Sequence, residues 1–147
     1  MDNQTQVISQ SISFELARVC MAHRVNASRM LAEVGLHVGQ EMLLQNLWQD
    51  DNLTQSELAD RLCIQLATAN KMIRRMEQAQ LISKIKDAED GRVSRVQLTQ
   101  QGRDLQASTE AVWAEVEQQT LANFTEEEKD NFRQFLQRIN ENLSQND

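Results

Sequence analysis

The sequence predicts a mainly α-helical protein with one small β-hairpin, and the order of its patterns leads to this fold class. Residues 53–78 hold two short helical patterns, the second of them basic, and residues 81–98 hold two β-like runs around a polar loop. Residues 1–52 and 100–147 are helical in pattern, and the chain of 147 residues has no proline to interrupt them. We expect a helix pair and a hairpin, joined to a region of longer helices.

Two helices are predicted before residue 53. The first ends near Gly35 and the second begins after Gly39, since glycine is common where helices stop and the chain turns. One face of the first helix carries Ile12, Leu16, Val19, Cys20 and His23. The second helix is marked by Met42, Leu43, Leu44, Leu47 and Trp48.

A capping box opens the next helix. Thr54 and Glu57 have the Thr-x-x-Glu spacing in which each side chain can bond a backbone N–H group of the first turn. Leu53 and Leu58 stand where a hydrophobic staple would close over that turn. Residues 63–65 leave the only room for a turn before the next pattern begins, so the two helices must meet at a tight corner.

The second helix of this pair has a buried face and a basic face. Its core positions, at three- and four-residue spacing, are Ala69, Met72, Ile73 and Met76. At about 3.6 residues per turn, the other side and its flanks carry Thr68, Asn70, Lys71, Arg74 and Arg75. Such side chains can pair with phosphates and bond to purine edges in the major groove. An ordinary solvated face is the alternative for this helix taken alone.

Two alternating runs follow and predict a hairpin. The first run places Lys84 and Lys86 on one side, and the second adds Arg92 and Arg95. We expect the hairpin to be basic on its exposed face. A surface hairpin with ordinary charges is the alternative.

The tip of the hairpin has the sequence Asp87-Ala-Glu-Asp-Gly-Arg92. Gly91 is free to adopt a positive φ, and Arg92 could enter the minor groove while Asp87 or Asp90 holds that guanidinium or the loop. A helix pair followed by a basic hairpin is the arrangement of a winged helix-turn-helix. Residues 53–99 are therefore predicted to form a DNA-binding domain.

Two further helices are predicted after the hairpin. Thr99 caps a long helix that carries Leu105, Val112, Trp113 and Val116. A second capping box, Thr125 with Glu128, opens a last helix whose apolar face consists of Phe132, Phe135, Leu136, Ile139 and Leu143. Because terminal helices this apolar need a partner, residues 1–52 and 100–147 are predicted to form a helical dimerisation region. A four-helix bundle within one chain is the alternative.

The net charge of −7 is unevenly distributed along the chain. Residues 1–52 carry a net −3, residues 53–99 a net +2 and residues 100–147 a net −6. Positive charge is thus concentrated where DNA would lie. The acidic segments elsewhere would repel phosphate and help to orient the protein as it approaches DNA. DNA binding should accordingly depend steeply on salt.

The sequence offers little for catalysis or metal binding. Its histidines, His23 and His37, and its cysteines, Cys20 and Cys63, lack metal-ligand spacing, and no phosphate loop or nucleophile motif appears. No stretch approaches the roughly 20 apolar residues that span a bilayer, and the N-terminus lacks the pattern of a secretion signal. We expect a cytoplasmic protein that has no cofactor and is not an enzyme.

Five stretches of the sequence resemble the MarR family of bacterial transcriptional regulators. They are residues 35–40, 53–62, 68–77, 87–92 and 96–103. The resemblance implies a homodimer whose first and last helices interlock, with each winged domain on one half-site of a pseudo-palindromic operator. It also implies that the recognition helix and the wing touch DNA through Thr68, Asn70, Lys71, Arg75 and Arg92.

Four residues depart from the pattern of that family. Gln65 replaces the usual Ser or Asp at the cap of the recognition helix, and Leu66 stands where a polar residue is common. Gln80 replaces the Gly or Asn that usually ends this helix, and Arg74 stands where an acidic residue is frequent. These departures bear on the operator sequence and not on the fold.

The resemblance also implies a small-molecule effector. Many relatives bind aromatic or phenolic carboxylates between the dimer helices and the winged domain, so we expect a repressor that such an anion releases from DNA. The candidate ligand residues are His23, Arg24, His37, Gln40 and Trp48, with Met42 as part of an apolar wall. Each also has a structural interpretation, and His37 for example would cap or bridge the turn between the two glycines.

Two other functions stay open. Cys20 and His23 are one helical turn apart, so the imidazole could activate the thiol as a peroxide sensor, as in one branch of the family. We favour a buried cysteine and a core histidine instead. The second alternative is a helical interaction protein that never binds DNA.

Overall fold

The computed structural model describes residues 8–144, which contain a short 3-10 helix (Ile8–Gln10), α-helices and one small antiparallel sheet. The regular elements are α1 (Ile12–Glu33), α2 (Gln40–Gln49), β1 (Leu53–Thr54), α3 (Gln55–Arg61), α4 (Leu66–Gln78), β2 (Ile82–Lys86), β3 (Ser94–Leu98), α5 (Gln100–Asp104), α6 (Gln106–Thr120) and α7 (Glu126–Ser144). The predicted fold class, mainly helical with a winged helix-turn-helix, is confirmed. The outermost parts of the predicted terminal regions, residues 1–7 and 145–147, lie outside the described residues.

Capping and glycine residues define the start and end of α1 and the start of α2. The Ser11 hydroxyl caps α1 by accepting a hydrogen bond from the Phe14 N–H group at 3.1 Å. Gly35, with a φ of 79°, follows α1, and Gly39, with a φ of 100°, precedes α2. Both backbone conformations lie in the left-handed region that favours glycine. The glycine boundaries predicted from the sequence are therefore confirmed.

The two ends of α1 differ in burial. Ala27, Met30 and Leu31 near its C-terminal end are buried in the core. The stripe predicted on its first half is largely exposed in the single chain, since Ile12 is 85% exposed and Val19 is 55% exposed. The first half of α1 therefore presents apolar surface that its own chain leaves open to solvent.

The helix pair α3 and α4 forms as the local signals predict. Thr54 and Glu57 make both bonds of the capping box, at 3.1 Å and 2.7 Å, and Leu53 and Leu58 are buried in the core. The chain turns between α3 and α4, where Cys63 adopts a φ of 52°. On α4 the predicted core positions Ala69, Ile73 and Met76 are fully buried and Met72 is partly buried. Ile73 and Met76 join the leucines of α2 and the sheet in one core, against which Met72 packs.

The sheet has three strands in the order β1-β3-β2, all antiparallel. The short strand β1 was not predicted, and it adds Leu53 to the sheet opposite Val96. In the hairpin, Lys84 lies opposite Val96 and Ile85 lies opposite Arg95. Because directly opposed residues share a face of the sheet, the face that carries Val96 is the core face, and Arg95 points to the other side.

The helix predicted after the wing is divided in two. Thr99 caps α5 as predicted, since its hydroxyl accepts from the Gly102 N–H group at 3.0 Å, and it also donates to the Gln80 carbonyl at 2.6 Å. Leu105 then separates α5 from α6. Gly102 packs so closely that a Cβ atom there would lie 2.1 Å from the Leu81 carbonyl oxygen. This close approach fixes α5 against the residue that precedes β2.

The described chain forms two compact units, the first ending at Trp113 and the second beginning at Ala114. The functional division predicted at residues 53 and 99 stays a prediction. In the second unit, Thr125 and Glu128 form the predicted capping box of α7, with bonds of 2.8 Å and 3.2 Å. Among its described residues α7 has no buried side chain. No helix within residues 8–144 is long and apolar enough to cross a membrane.

Candidate nucleic-acid interface

Helix α4 presents a basic face to solvent. Lys71, Arg74 and Arg75 are exposed, and so is Thr68 on the same helix. Within residues 8–144 none of these three cations forms an ion pair. The charges are therefore available to phosphate, which is the group that a cationic helix meets first on DNA.

Asn70 departs from the predicted outward set because its side chain is half-buried. Its amide oxygen is buried and accepts no hydrogen bond within the part of the chain that the structure describes. The reason is its position on the helix, beside Ala69 and three residues before Ile73, at the edge of the buried stripe. An unpaired buried amide oxygen costs about 1–3 kcal/mol, so a hydrogen bond made to Asn70 on binding would remove this cost.

The four cations of the wing are not on one face. Lys84 and Lys86 lie on the core face of the sheet, beyond the buried positions, and Arg95 lies on the opposite face. Arg92 precedes β3 and belongs to the loop. The prediction of a single basic face was wrong because the pairing register of the two strands decides which residues share a side. Lys84 is also partly neutralised by Glu77, at 3.5 Å.

Arg95 anchors the wing rather than facing DNA freely. Its guanidinium pairs with the Asp87 carboxylate and donates a second hydrogen bond to the Asn52 carbonyl at 3.0 Å. The hydrogen bond from Arg95 lowers the pKa of Asp87 to about 2, with help from backbone N–H groups. The same carboxylate raises the pKa of Arg95. This interaction ties the hairpin tip to the turn before β1.

The Asp87 carboxylate also shapes the tip of the wing. It accepts hydrogen bonds from the N–H groups of Glu89 and Asp90 at 2.8 Å and 3.0 Å, while Asp90 accepts from the N–H group of Arg92 at 3.0 Å. Gly91 does not use a positive φ. Asp87 or Asp90 was predicted to hold the Arg92 guanidinium or the loop, and both carboxylates hold the loop. The cation that pairs with Asp87 is Arg95, and the exposed Arg92 guanidinium has no ion pair in the described chain.

Comparison with known proteins agrees with this geometry. The model of the MarR family matches residues 36–94, which run from the segment between α1 and α2 to the first residue of β3. An HTH-type transcriptional repressor of Mycobacterium tuberculosis is 27% identical over 128 residues, covering 87% of this chain and 92% of the repressor. The chain is thus similar to the MarR family over the helix pair and most of the wing.

Solved structures of MarR-type regulators share the fold. The crystal structure of MarR is 25% identical, covers 91% of this chain and 98% of its own, and superposes with a TM-score of 0.77. The Bordetella bronchiseptica regulator BpsR, whose DNA binding is regulated by 6-hydroxynicotinic acid, is 20% identical, covers 90% of this chain and 94% of its own, and has a TM-score of 0.82. The relatives and structural neighbours of this chain are transcriptional regulators and not enzymes.

The five candidate effector residues have local partners. Gln40 accepts a hydrogen bond from the His37 N–H group at 2.9 Å, so Gln40 rather than the imidazole bridges the turn. The Trp48 indole donates to the Gly102 carbonyl at 3.0 Å, which joins α2 to α5. His23 stacks on Trp113 with ring centroids 5.9 Å apart, and Arg24 is exposed. Gln40 and Trp48 thus have structural roles, whereas the side chains of Arg24 and His37 stay accessible.

Glu41 is a buried carboxylate that the sequence did not single out. It is 4% exposed and accepts a hydrogen bond from the Gly39 N–H group at 2.7 Å. Burial raises the pKa of Glu41, and the charge of Arg24 acts in the opposite direction. The only local signal is an acidic residue in the first turn of a helix, which is also common on exposed helices. Its burial depends on tertiary packing and could not be predicted.

The cysteines are placed differently from the favoured expectation. Cys20 and Cys63 are both free thiols and both exposed. The prediction of a buried Cys20 was wrong because the half of α1 that carries it does not enter the core of its own chain. No group of three His, Cys, Asp or Glu residues suited to a metal ion occurs within residues 8–144. Redox sensing by Cys20 stays a prediction, which loss of peroxide sensitivity in Cys20→Ser would test.

Removal of Asp87 should loosen the wing without unfolding the domain. In Asp87→Ala the N–H groups of Glu89 and Asp90 lose their acceptor, so we expect their amide exchange to accelerate by roughly five- to tenfold. The stabilisation by this carboxylate should be complete above its ordinary pKa of 3.8 and lost as pH falls toward about 2, because its pKa is lowered in the folded state. Hydrogen exchange measured at neutral pH therefore reports the full effect.

Glu89→Ala is the matched control because it removes an equal charge from the same loop. The Glu89 carboxylate accepts none of the hydrogen bonds that hold the tip. Equal exchange rates in Asp87→Ala and Glu89→Ala would show that the Asp87 carboxylate does not order the tip.

Proposed function

We propose that this protein is a MarR-family repressor that binds a pseudo-palindromic operator as a homodimer and is released by a small aromatic or phenolic anion. The unpaired cations of α4 and the hairpin tip carry the DNA-binding part of the proposal. The repressor assignment is supported by the M. tuberculosis relative, which is itself named a repressor. The bacterial origin of that relative and a DNA target favour action in the cytoplasm.

The DNA contacts are assigned by exposure and pairing. Thr68, Lys71, Arg74 and Arg75 approach DNA on α4, while Lys86 and Arg92 approach from the wing, and each of these side chains is exposed. Asn70 joins them when its unpaired amide turns outward. Lys84 and Arg95 make weaker contributions, since each already has a carboxylate partner.

Substitution of the unpaired cations should weaken DNA binding and flatten its salt dependence. Arg75→Ala and Arg92→Ala should each reduce the slope of log affinity against log salt by about 1 if each cation meets one phosphate. Affinity would be measured on duplexes selected by the wild-type protein from a randomised pool. Arg29→Ala is the control, because Arg29 is exposed near the end of α1 and bonds locally to Asn26.

If the slope of log affinity against log salt is unchanged in both variants, Arg75 and Arg92 do not contact phosphate. Selection of no sequence by the wild-type protein would overturn sequence-specific DNA binding itself. Thermal unfolding of each variant shows whether a loss of affinity has another origin.

Dimerisation is supported by the apolar surface on α1 and α7. Phe135 is 54% exposed, Leu143 is 67% exposed and Val25 is 71% exposed in the single chain. Phe132 and Leu136 add to the same face of α7. Exposed apolar residues gathered on one helix face mark an association site, and α7 has no buried side chain among its described residues.

A charge on the apolar face of α7 should dissociate the dimer. Phe135→Glu places a carboxylate where we expect buried contact, so sedimentation at low micromolar concentration should show a species near 16.9 kDa, the mass of one chain. Gln137→Glu is the control, since it adds the same charge at an exposed position two residues away. A wild-type protein that sediments as a folded monomer and binds one half-site would contradict the proposal.

The effector site is proposed around the first turn of α2, where Arg24 and His37 stay accessible. A carboxylate ligand could pair with Arg24, which already acts on the buried Glu41. His23, Gln40 and Trp48 complete the proposed site, with Met42 as exposed apolar wall. The aromatic acid that regulates BpsR supports this class of ligand.

Aromatic acids should release the protein from its selected duplex. We expect 6-hydroxynicotinic acid or salicylate to lower DNA affinity at millimolar concentration, and Arg24→Ala to blunt the response while leaving affinity without ligand unchanged. Arg18→Ala is the control, since Arg18 pairs with Glu15 on the same helix. A response that survives in both Arg24→Ala and His37→Ala would place the effector elsewhere.

A further inference from the structure

The N-terminal end of the recognition helix α4 carries two exposed side chains that the DNA-binding assignment has not used. Gln65, at the cap position, makes no hydrogen bond to the helix through its side chain. Leu66, the first helical residue, is 46% exposed although it is a large apolar residue. Both lie at the end of the helix that commonly contacts base edges in a helix-turn-helix complex.

The amide of Gln65 is free because this chain caps α4 without it. A Ser or Asp at this position would normally use its side chain to accept from the first turn, as Thr54 does for α3 and Thr99 does for α5. The backbone carbonyl of Gln65 still accepts from Thr68 and Ala69 at 2.9 Å and 3.0 Å. The helix therefore starts normally while the carboxamide remains exposed to solvent.

The chemistry of the two side chains matches one kind of base pair. A glutamine amide can bond in a bidentate manner to N6 and N7 of adenine, and an apolar side chain can contact the C5 methyl group of thymine. The unpaired cations Lys71, Arg74 and Arg75 on the same helix would hold this end of α4 against the phosphates. We propose that Gln65 and Leu66 are specificity-determining residues that read adenine and thymine in each operator half-site.

This inference rests on the proposed DNA-binding function but is tested separately. The full-length protein would first select duplexes from a randomised pool, and each thymine would then be replaced in turn by deoxyuridine, which lacks only the methyl group. We expect one thymine in each half-site at which this replacement weakens binding about fourfold, the value of one buried methyl group. In Leu66→Ala that difference between thymine and uracil should disappear, whereas Leu66→Met should retain part of it.

Adenine is tested in the same way with 7-deazaadenine, which lacks the N7 acceptor. We expect roughly fivefold weaker binding at one adenine in each half-site, and no such difference in Gln65→Ala. Gln78→Ala is the matched control, because Gln78 is an exposed amide at the other end of the same helix. The variant Gln65→Ser should restore a side-chain cap and raise the thermal midpoint, yet lose the adenine preference.

The outcomes separate this inference from the function on which it rests. Failure to select any sequence would overturn sequence-specific DNA binding itself. Specific binding that is indifferent to every deoxyuridine and 7-deazaadenine would overturn the reading by Leu66 and Gln65 and leave the repressor intact. If base discrimination persists unchanged in Leu66→Ala and Gln65→Ala, other side chains read these bases.

Discussion

The burial of one face of α4 is the constraint on which the rest of the proposed DNA-binding surface depends. Ala69, Ile73 and Met76 are fully buried, and their packing fixes the rotation of the helix about its axis. Burial of a large apolar side chain contributes roughly 1.5–3 kcal/mol, whereas an exposed ion pair contributes about 0–1 kcal/mol. Packing therefore sets the orientation of the helix, and the cations Lys71 and Arg74 face outward as a consequence.

Ion pairing then divides the cations of residues 53–99 into two groups. Arg61, Lys84 and Arg95 have the carboxylate partners Asp50, Glu77 and Asp87. The cations without an ion pair in the described chain are Lys71, Arg74, Arg75, Lys86 and Arg92. All of the latter lie on the recognition helix or toward the hairpin tip. The paired cations connect elements of the domain, and the unpaired ones form a local positive surface on a chain of net charge −7. Under the proposed function, this local surface attracts DNA despite the overall negative charge.

The features that the sequence predicted correctly are those that short-range chemistry determines. The capping boxes at Thr54 and Thr125 and the buried stripe of α4 depend on residues at most seven positions apart. The errors come from contacts that are distant in sequence or set by the whole core. Arg95 reaches Asn52 across 43 positions, and the burial of Glu41 and Asn70 depends on neighbouring elements. Strand register likewise could not be read from alternation alone, because alternation does not say which residues lie opposite one another.

The backbone at the start of α2 lies close to α4. A Cβ atom at Gly39 would lie 3.6 Å from the terminal methyl group of Met72, and the Gly39 N–H group is held by the buried Glu41 carboxylate. The φ of 100° at Gly39 lies in a region that favours glycine, so another residue at this position would strain the backbone. The charge of Arg24 opposes the rise in the pKa of Glu41 that burial causes, but no ion pair joins the two residues in the described chain. Under the proposed function, an anion bound at the first turn of α2 would lie next to backbone that packs beside Met72, and a displacement of this turn would therefore reach α4 directly.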